Sequence, residues 1–296
     1  MGSNPIGPTD NAGSASPGGR PPGLALPDNH VHSQWSHDTG PQASMAAACA
    51  RAVELGLPAV AFTEHLDFTA GGPGDPITAA GLAPNQSPGI RPLDVAGYLA
   101  SVAECRERFP ALRILSGVEA GEPHLFAGSA AAVLGSGRFD RVLGSVHALP
   151  SQGSLVYSGW LLHREPPDEV MRRYLAEVVT MIEGSGLFEV LAHLDFPRRY
   201  WPAGAAEYTE AAFEEEYRAV LRALAGSGRV LELNTASPLP SVDLLRWWAQ
   251  EGGSALSFGS DAHLPGHVGG RFAEASGIAA AAGFRPGRDP FDFWRR

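Results

Sequence analysis

The chain has 296 residues, 44% of them hydrophobic, which is enough to bury a sizeable core in one unit of barrel size. Twenty-two basic against 32 acidic residues leave a net charge of −10, and with no basic patch in view this opposes broad contact with nucleic acid or anionic lipid. No apolar run reaches the roughly 18 residues that a membrane span needs, and the absence of lysine excludes Schiff-base chemistry.

Residues 1–26 are rich in Gly, Pro, Ser and Asn, with neither a basic n-region nor an apolar h-region. They read as a disordered tail and not as a signal peptide, which places a single catalytic unit at 27–296 and predicts a cytoplasmic location. From there short apolar runs alternate with helix-like segments. Strands are predicted at 28–31, 58–63, 113–118, 141–146, 188–192, 229–233 and 255–259. Helices are predicted at 44–55, 94–109, 124–134, 168–183, 208–225 and 241–250, with another beginning near 270. Seven β/α units point to a barrel of the (β/α) kind, one strand short of the usual eight, whose chemistry belongs at the C-terminal strand ends. Two stretches break the rhythm. Residues 69–92, rich in Gly and Pro, and residues 149–167 read as long loops that leave C-terminal strand ends and border the site. Cys49 and Cys105 stand apart from any ligand-like residue and read as buried free thiols.

The strand ends share one property. They finish in His30 and His32, in Glu64 and His65, and then in Glu119, His147, His193, Glu232, and Asp261 with His263. Side chains at i and i+2 of a strand point to the same face, so His30 and His32 can chelate one ion, and Asp261 and His263 can do the same. Imidazole combined with carboxylate suits Zn, Mn or Fe, and the lack of cysteine among these positions argues against a structural zinc. Eight of these, leaving out Glu64 and Glu232, make with His37 nine candidate ligands, more than a single four- to six-coordinate ion can use, which predicts two or three divalent metal ions. Elsewhere, Arg198 and Arg199 follow His193 closely enough to clamp a phosphate at the rim, Arg198 being preferred. Glu64 reads as a substrate contact or as a partner that orients an imidazole. Trp160, in the second loop, is a substrate-contact candidate. Glu232 and Asn234 read equally as support for the site or as barrel packing. His124 reads as a surface or packing residue, His163 as an exposed loop residue, and His267 as a rim residue.

The motifs Asp28-Asn29-His30-Val31-His32, Ser36-His37-Asp38, Phe62-Thr63-Glu64-His65, Gly117-Val118-Glu119, Gly144-Ser145-Val146-His147, Ala192-His193-Leu194-Asp195 and Gly259-Ser260-Asp261-Ala262-His263 together resemble the PHP (polymerase and histidinol phosphatase) superfamily, and within it the histidinol-phosphatase branch. The resemblance runs in order from about 28 to 272. It implies a distorted (β/α)7 TIM-like barrel, with a first metal held by His30, His32, Glu119 and Asp261, and a second held by His147 and His193 with Glu119 bridging. A third would be held by His65, His263 and a residue of the 36–38 segment, where His37 and Asp38 are both within reach and His37 is favoured. The implied activity is a metal-dependent phosphomonoesterase acting on a small phosphate ester, L-histidinol phosphate foremost, by attack of a metal-bridging hydroxide on phosphorus. Asp261 or His263 would pass a proton to the leaving oxygen. A broader phosphoesterase of nucleotides or short oligonucleotides and a non-catalytic metal-binding domain are the competing readings; no nucleic acid or membrane partner is expected. An amidohydrolase, which also opens a barrel with His-X-His, would need a carbamylated lysine that this chain cannot supply.

Overall fold

The computed structural model describes residues 26–84 and 89–296. The expected tail lies outside the described residues except for Leu26, which is already fully buried.

Seven parallel strands line up in chain order: β1 (Asp28–Val31), β2 (Ala59–Leu66), β3 (Arg113–Gly121), β4 (Arg141–Ser145), then, after two strands of a separate hairpin, β7 (Val190–Leu191), β8 (Val230–Asn234) and β9 (Ala255–Gly259). These runs are apolar on both faces because helices cover the outside of the sheet while the inside packs on itself. The sheet curls until its first and last parallel strands meet. At the C-terminal end they are joined by backbone hydrogen bonds, Asp261 N–H to the His30 carbonyl at 2.7 Å and His32 N–H to the Ala262 carbonyl at 2.9 Å. At the other end a two-residue strand, β10 (Trp294–Arg295), pairs antiparallel with the start of β9. Seven β/α strands therefore close the barrel at the site end, and the chain's last residues occupy the eighth position below it.

The surrounding helices are α1 (Met45–Leu55), α3 (Val95–Arg108), α4 (Ala127–Gly135), α6 (Pro167–Gly184), α7 (Glu214–Gly226), α8 (Val242–Gln250) and α9 (Phe272–Ala281), with the one-turn helices α2 (Pro76–Ala79) and α5 (Ser158–Leu161) between them. Their starts follow the residues that can cap them: Ser44 accepts from Ala47 N–H, Asp94 from Gly97 N–H, and Ser241 from Leu244 N–H. Gly56 ends α1 in the left-handed conformation at φ 72°. Trp248 of α8 is fully buried, as its apolar spacing predicts, whereas Trp247 only packs against the core. Cys49 and Cys105 are buried and unbridged.

Two expectations need correction. Residues 149–167 do not form an open loop: β5 (Ala148–Ser151) and β6 (Ser154–Tyr157) make an antiparallel hairpin that runs into α5. The 69–92 stretch contains α2 and pairs with that hairpin, Ala83 donating to the Gly153 carbonyl and accepting from Leu155 N–H. Ile77, Phe126, Ala148 and Leu155 form a small apolar cluster beneath. Burial of these scattered apolar residues, invisible as a period in either segment, joins the described part of the first segment, up to 84, to the hairpin of the second. The expected helix at 124–134 begins only at Ala127, because Glu122 takes a positive φ of 45° and its carbonyl accepts from Leu125 and Phe126 in a turn.

Candidate metal centre

Glu119, wholly buried on β3, is the hub. One carboxylate oxygen, Oε1, lies 2.6 Å from His193 Nε2 and 3.2 Å from His147 Nε2. The other, Oε2, lies 3.0 Å from His65 Nδ1, 3.4 Å from His30 Nε2 and 3.5 Å from His32 Nε2. Asp261 Oδ1 closes the group around His30 and His32, at 3.6 and 3.3 Å from their Nε2 atoms. Asp38 Oδ2 joins His263 at 3.0 Å to His65 at 3.3 Å. These side chains come from the ends of six strands, β1, β2, β3, β4, β7 and β9, or from the turns beyond them, so the barrel's closure gathers what lies far apart in sequence.

Partners behind the cluster decide which ring nitrogens face inward. Glu232, on β8, can only accept, so His30 donates from Nδ1 to its Oε1 at 2.7 Å. Gly259 makes room for this contact: a Cβ there would lie 2.1 Å from Glu232 Oε1. Ser36 gives its proton to Glu64 Oε2 at 2.6 Å, leaving its oxygen to accept from His32 Nδ1 at 2.9 Å and from His65 N–H at 3.1 Å. With both Nδ1 atoms donating outward, the Nε2 atoms of His30 and His32 face each other at 3.0 Å, where they share a proton or a bound cation.

The electrostatics agree. Burial disfavours a charge on His30, yet Glu232, Asp261 and Glu119 together push it well above the ordinary imidazole range. Burial, followed by repulsion from His65 and His263, lowers its neighbour His32 to about 3. Burial alone would raise Glu119, but His30, His147, His193 and His65 hold it well below the carboxylate range. Glu119 Oε2 and His65 Nδ1 are buried without a hydrogen-bond partner among the described residues. A buried carboxylate with an unused oxygen, ringed by imidazole nitrogens whose charge it attracts, is a donor set that divalent ions fit. Ligand atoms of four groups converge closely enough to hold ions: His30, His32 and Asp261; His65, Glu119 and His147; His32, His65 and His263; and His37, His65 and Asp67.

Three expectations change at the site. His37, favoured as the partner of His65 and His263, instead bonds Asp67 Oδ2 from Nε2 at 2.8 Å, and Asp38 takes the place beside them. Arg198, the preferred clamp, points away from the cavity into an ion-pair group with Asp195 and Glu210, both at 3.2 Å, and stacks over Tyr208. Arg199 is the one that lines the cavity, held by Asp261 Oδ2 at 2.5 Å and Asn234 Oδ1 at 3.0 Å. Glu64 is fully buried, accepting from Ser33 N–H and from the Ser33 and Ser36 hydroxyls, so it supports His32 through Ser36 and does not reach a substrate. Trp160 does line the cavity, at 46% exposure. Glu232 and Asn234 are tied into the cluster, Asn234 donating to Glu232 Oε2 at 3.1 Å. His124 is buried against Glu177 at 2.7 Å, while His163 and His267 are exposed and away from the centre.

Two residues escape the sequence reading. Asp67 faces His37, His65 and His147; it follows His65 by two positions, and the alternation that pairs His30 with His32 could have found it. Glu122, with no sequence signal, accepts the backbone N–H groups of His147 and Ala148 at 2.6 and 2.8 Å. It shares a positive φ with Asp261, at 52°, and such strained non-glycine positions gather where function demands them.

Over this floor sits a cavity of about 340 Å³ with Arg199 at its rim and a wall of Tyr157, Trp160, Phe196 and Tyr200. Tyr157 donates to the Tyr200 hydroxyl at 2.7 Å. A parallel barrel with a convergent imidazole and carboxylate cluster at its C-terminal mouth defines a hydrolase-type metal centre. The PHP domain family model matches residues 28–236, and the chain belongs to that family. A relative in Deinococcus radiodurans named "Probable histidinol-phosphatase" is 29% identical over 84% of this chain and 91% of its own length. The histidinol-phosphatase of Lactococcus lactis is 27% identical over 80% of this chain and 84% of its own length. The crystal structure of Lactococcus lactis histidinol phosphate phosphatase, complexed with zinc, L-histidinol and phosphate, superimposes with a TM-score of 0.73 over 88% of this chain and 95% of that one, at 24% identity, and so shares its fold.

Proposed function

We propose that residues 27–296 act as one metal-dependent phosphomonoesterase, with L-histidinol phosphate as substrate and two or three divalent ions, Zn, Mn or Fe, as cofactors. The observation that carries this reading is the Glu119 hub: a buried carboxylate shared by imidazoles from four strands, open to a cavity sized for a small molecule. The names and bound ligands of the relatives support the substrate.

His30, His32, Asp261 and Glu119 would hold one ion, Glu119, His147 and His193 a second, and His65, His263 and Asp38 a third. Bound there, divalent ions supply an activated water and neutralise phosphoryl charge. The protein's own groups do the rest. Arg199, fixed through Nη2 by Asn234 and Asp261 and through Nε by Ser237, presents its Nη1 donors to a phosphate oxygen. Of the two candidate proton donors, Asp261 is pinned between Arg199 and His32, whereas His263, a third exposed, borders the cavity and can deliver a proton from its ring to the departing oxygen. The aromatic wall excludes water from that side and offers flat apolar surface to the leaving alcohol.

A phosphate-release panel of histidinol phosphate, sugar phosphates, nucleoside monophosphates and bisphosphates, run with Mn, Zn and Fe, tests the substrate. The expected result is a preference of at least about tenfold in kcat/KM for histidinol phosphate, about 1.4 kcal/mol. A smaller preference would favour the broader phosphoesterase.

A further inference from the structure

Asp67 follows directly on the end of β2, and its carboxylate, only 13% exposed, is surrounded by imidazoles. Oδ2 lies 2.8 Å from His37 Nε2 and 3.7 Å from His65 Nδ1, and Oδ1 lies 3.5 Å from His147 Nδ1. Across from it β3 carries Gly121, where a Cβ would sit 2.0 Å from Asp67 Oδ1; the missing side chain is the space the carboxylate occupies. The other nitrogen of His147, Nε2, faces Glu119 Oε1 at 3.2 Å. A neutral imidazole can offer one nitrogen to a cation only if the other carries the proton, and a carboxylate facing that second nitrogen fixes the choice. Glu232 does this for His30, and Ser36, backed by Glu64, for His32. Asp67 faces Nδ1 of His147 on the corresponding side, at 3.5 Å, close enough to draw its proton.

We propose that Asp67 is a positioning residue: it accepts from His147 Nδ1 so that Nε2 serves the Glu119 side, and it binds His37 to the cavity wall, leaving Asp38 to join His65 and His263. The same carboxylate thus sets the orientation of one ligand and the composition of a neighbouring group. The inference rests on reading the cluster as a metal centre and does not depend on the substrate.

The test therefore reads metal binding in the full chain instead of phosphate release. Zinc is titrated into metal-free parent, Asp67→Asn, Asp67→Ala and Gly121→Ala in competition with a chromophoric chelator, and the metal-free forms are melted. Gly121 does not have a positive φ, so alanine is compatible with its backbone and acts by displacing the carboxylate. The expected result is that at least one zinc weakens by about 10- to 100-fold in Asp67→Ala and Gly121→Ala, the range for losing an orienting partner. Asn, which keeps an acceptor oxygen, should retain part of the affinity. Metal-free melting temperatures should stay within about 4 °C of the parent. Zinc affinities within about threefold of the parent in both alanine variants would overturn the proposal, and so would a fall in metal-free melting large enough to account for the zinc loss. A failed substrate reading leaves these titrations untouched.

Discussion

Adjacent arginines with opposite roles give the sharpest test of the site. Arg198→Ala removes the shared partner of Asp195 and Glu210, which are 9% and 8% exposed, together with a guanidinium stacked 4.8 Å above the Tyr208 ring. Stranding buried carboxylates costs about 3–5 kcal/mol when nothing else solvates them. Glu210 keeps Ser241 N–H at 3.0 Å, so a loss of about 2–3 kcal/mol is expected, lowering Tm by roughly 4–12 °C. Its kcat/KM at a temperature well below melting should stay within about twofold of the parent, because the side chain does not line the cavity. Arg199→Ala also strands a buried carboxylate, Asp261, but unlike Arg198→Ala it should lower kcat/KM. A charge-assisted bidentate contact with phosphate is worth about 2–4 kcal/mol; since Arg199 must partly exchange Asp261 and Asn234 for the phosphate, the lower part of that range applies. That is about 2–3 kcal/mol, or roughly a 30- to 150-fold fall in kcat/KM, with Arg199→Lys restoring only part for want of the planar fork. Steady-state phosphate release, inhibition by inorganic phosphate and scanning calorimetry on the three variants decide the matter. If Arg198→Ala loses as much kcat/KM as Arg199→Ala while its Tm is unchanged, the assignment of the clamp from the cavity lining is wrong.

Glu119→Gln keeps the volume of the hub but removes its charge, so it should lose at least one bound ion by elemental analysis and nearly all turnover while far-ultraviolet dichroism is preserved; activity within about tenfold of the parent would show that Glu119 is not shared between ions. Chelation should lower Tm reversibly, by about 8–16 °C where metal is supplied at a thousandfold excess over its Kd, since ligand binding of that strength contributes about 4 kcal/mol; calorimetry with and without chelator checks this, and an unchanged Tm would mean that the folded donor set binds no ion. Burial pushes Glu122 up to about 7 from 4.5. A raised carboxyl contributes stability that is fully present below about pH 4.5 and is lost as pH rises through about 7, amounting to at most about 3 kcal/mol. In denaturant titrations of metal-free protein between pH 4.5 and 8, Glu122→Gln should therefore be less pH-sensitive than the parent, and parallel stability curves would remove the assignment.

The sequence by itself determined the order of elements and the kind of chemistry. Strands buried on both faces must be continuously apolar, and a polar residue at the end of each such run is conspicuous against them, so His30, His32, His65, Glu119, His147, His193, Asp261 and His263 were legible one strand at a time. Cap residues such as Ser44, Asp94 and Ser241 marked helix starts, because they satisfy backbone donors within three residues. Tertiary structure alone decided everything that depends on direction or on a partner remote in the chain. Arg198 and Arg199 are equivalent as letters; a single 3-10 turn, 196–200, sends one to Glu210 and the other to Asp261. The same holds for His37 and Asp38, whose neighbours lie about 30 and 225 positions away at Asp67 and His263. The hairpin at 148–157 and its pairing with Ala83 come from apolar residues too sparse to show a period. Periodicity reports which face of an element is buried, whereas hydrogen-bond and ion-pair partners across a closed barrel are set by where the strand ends converge, a distance that no local pattern encodes.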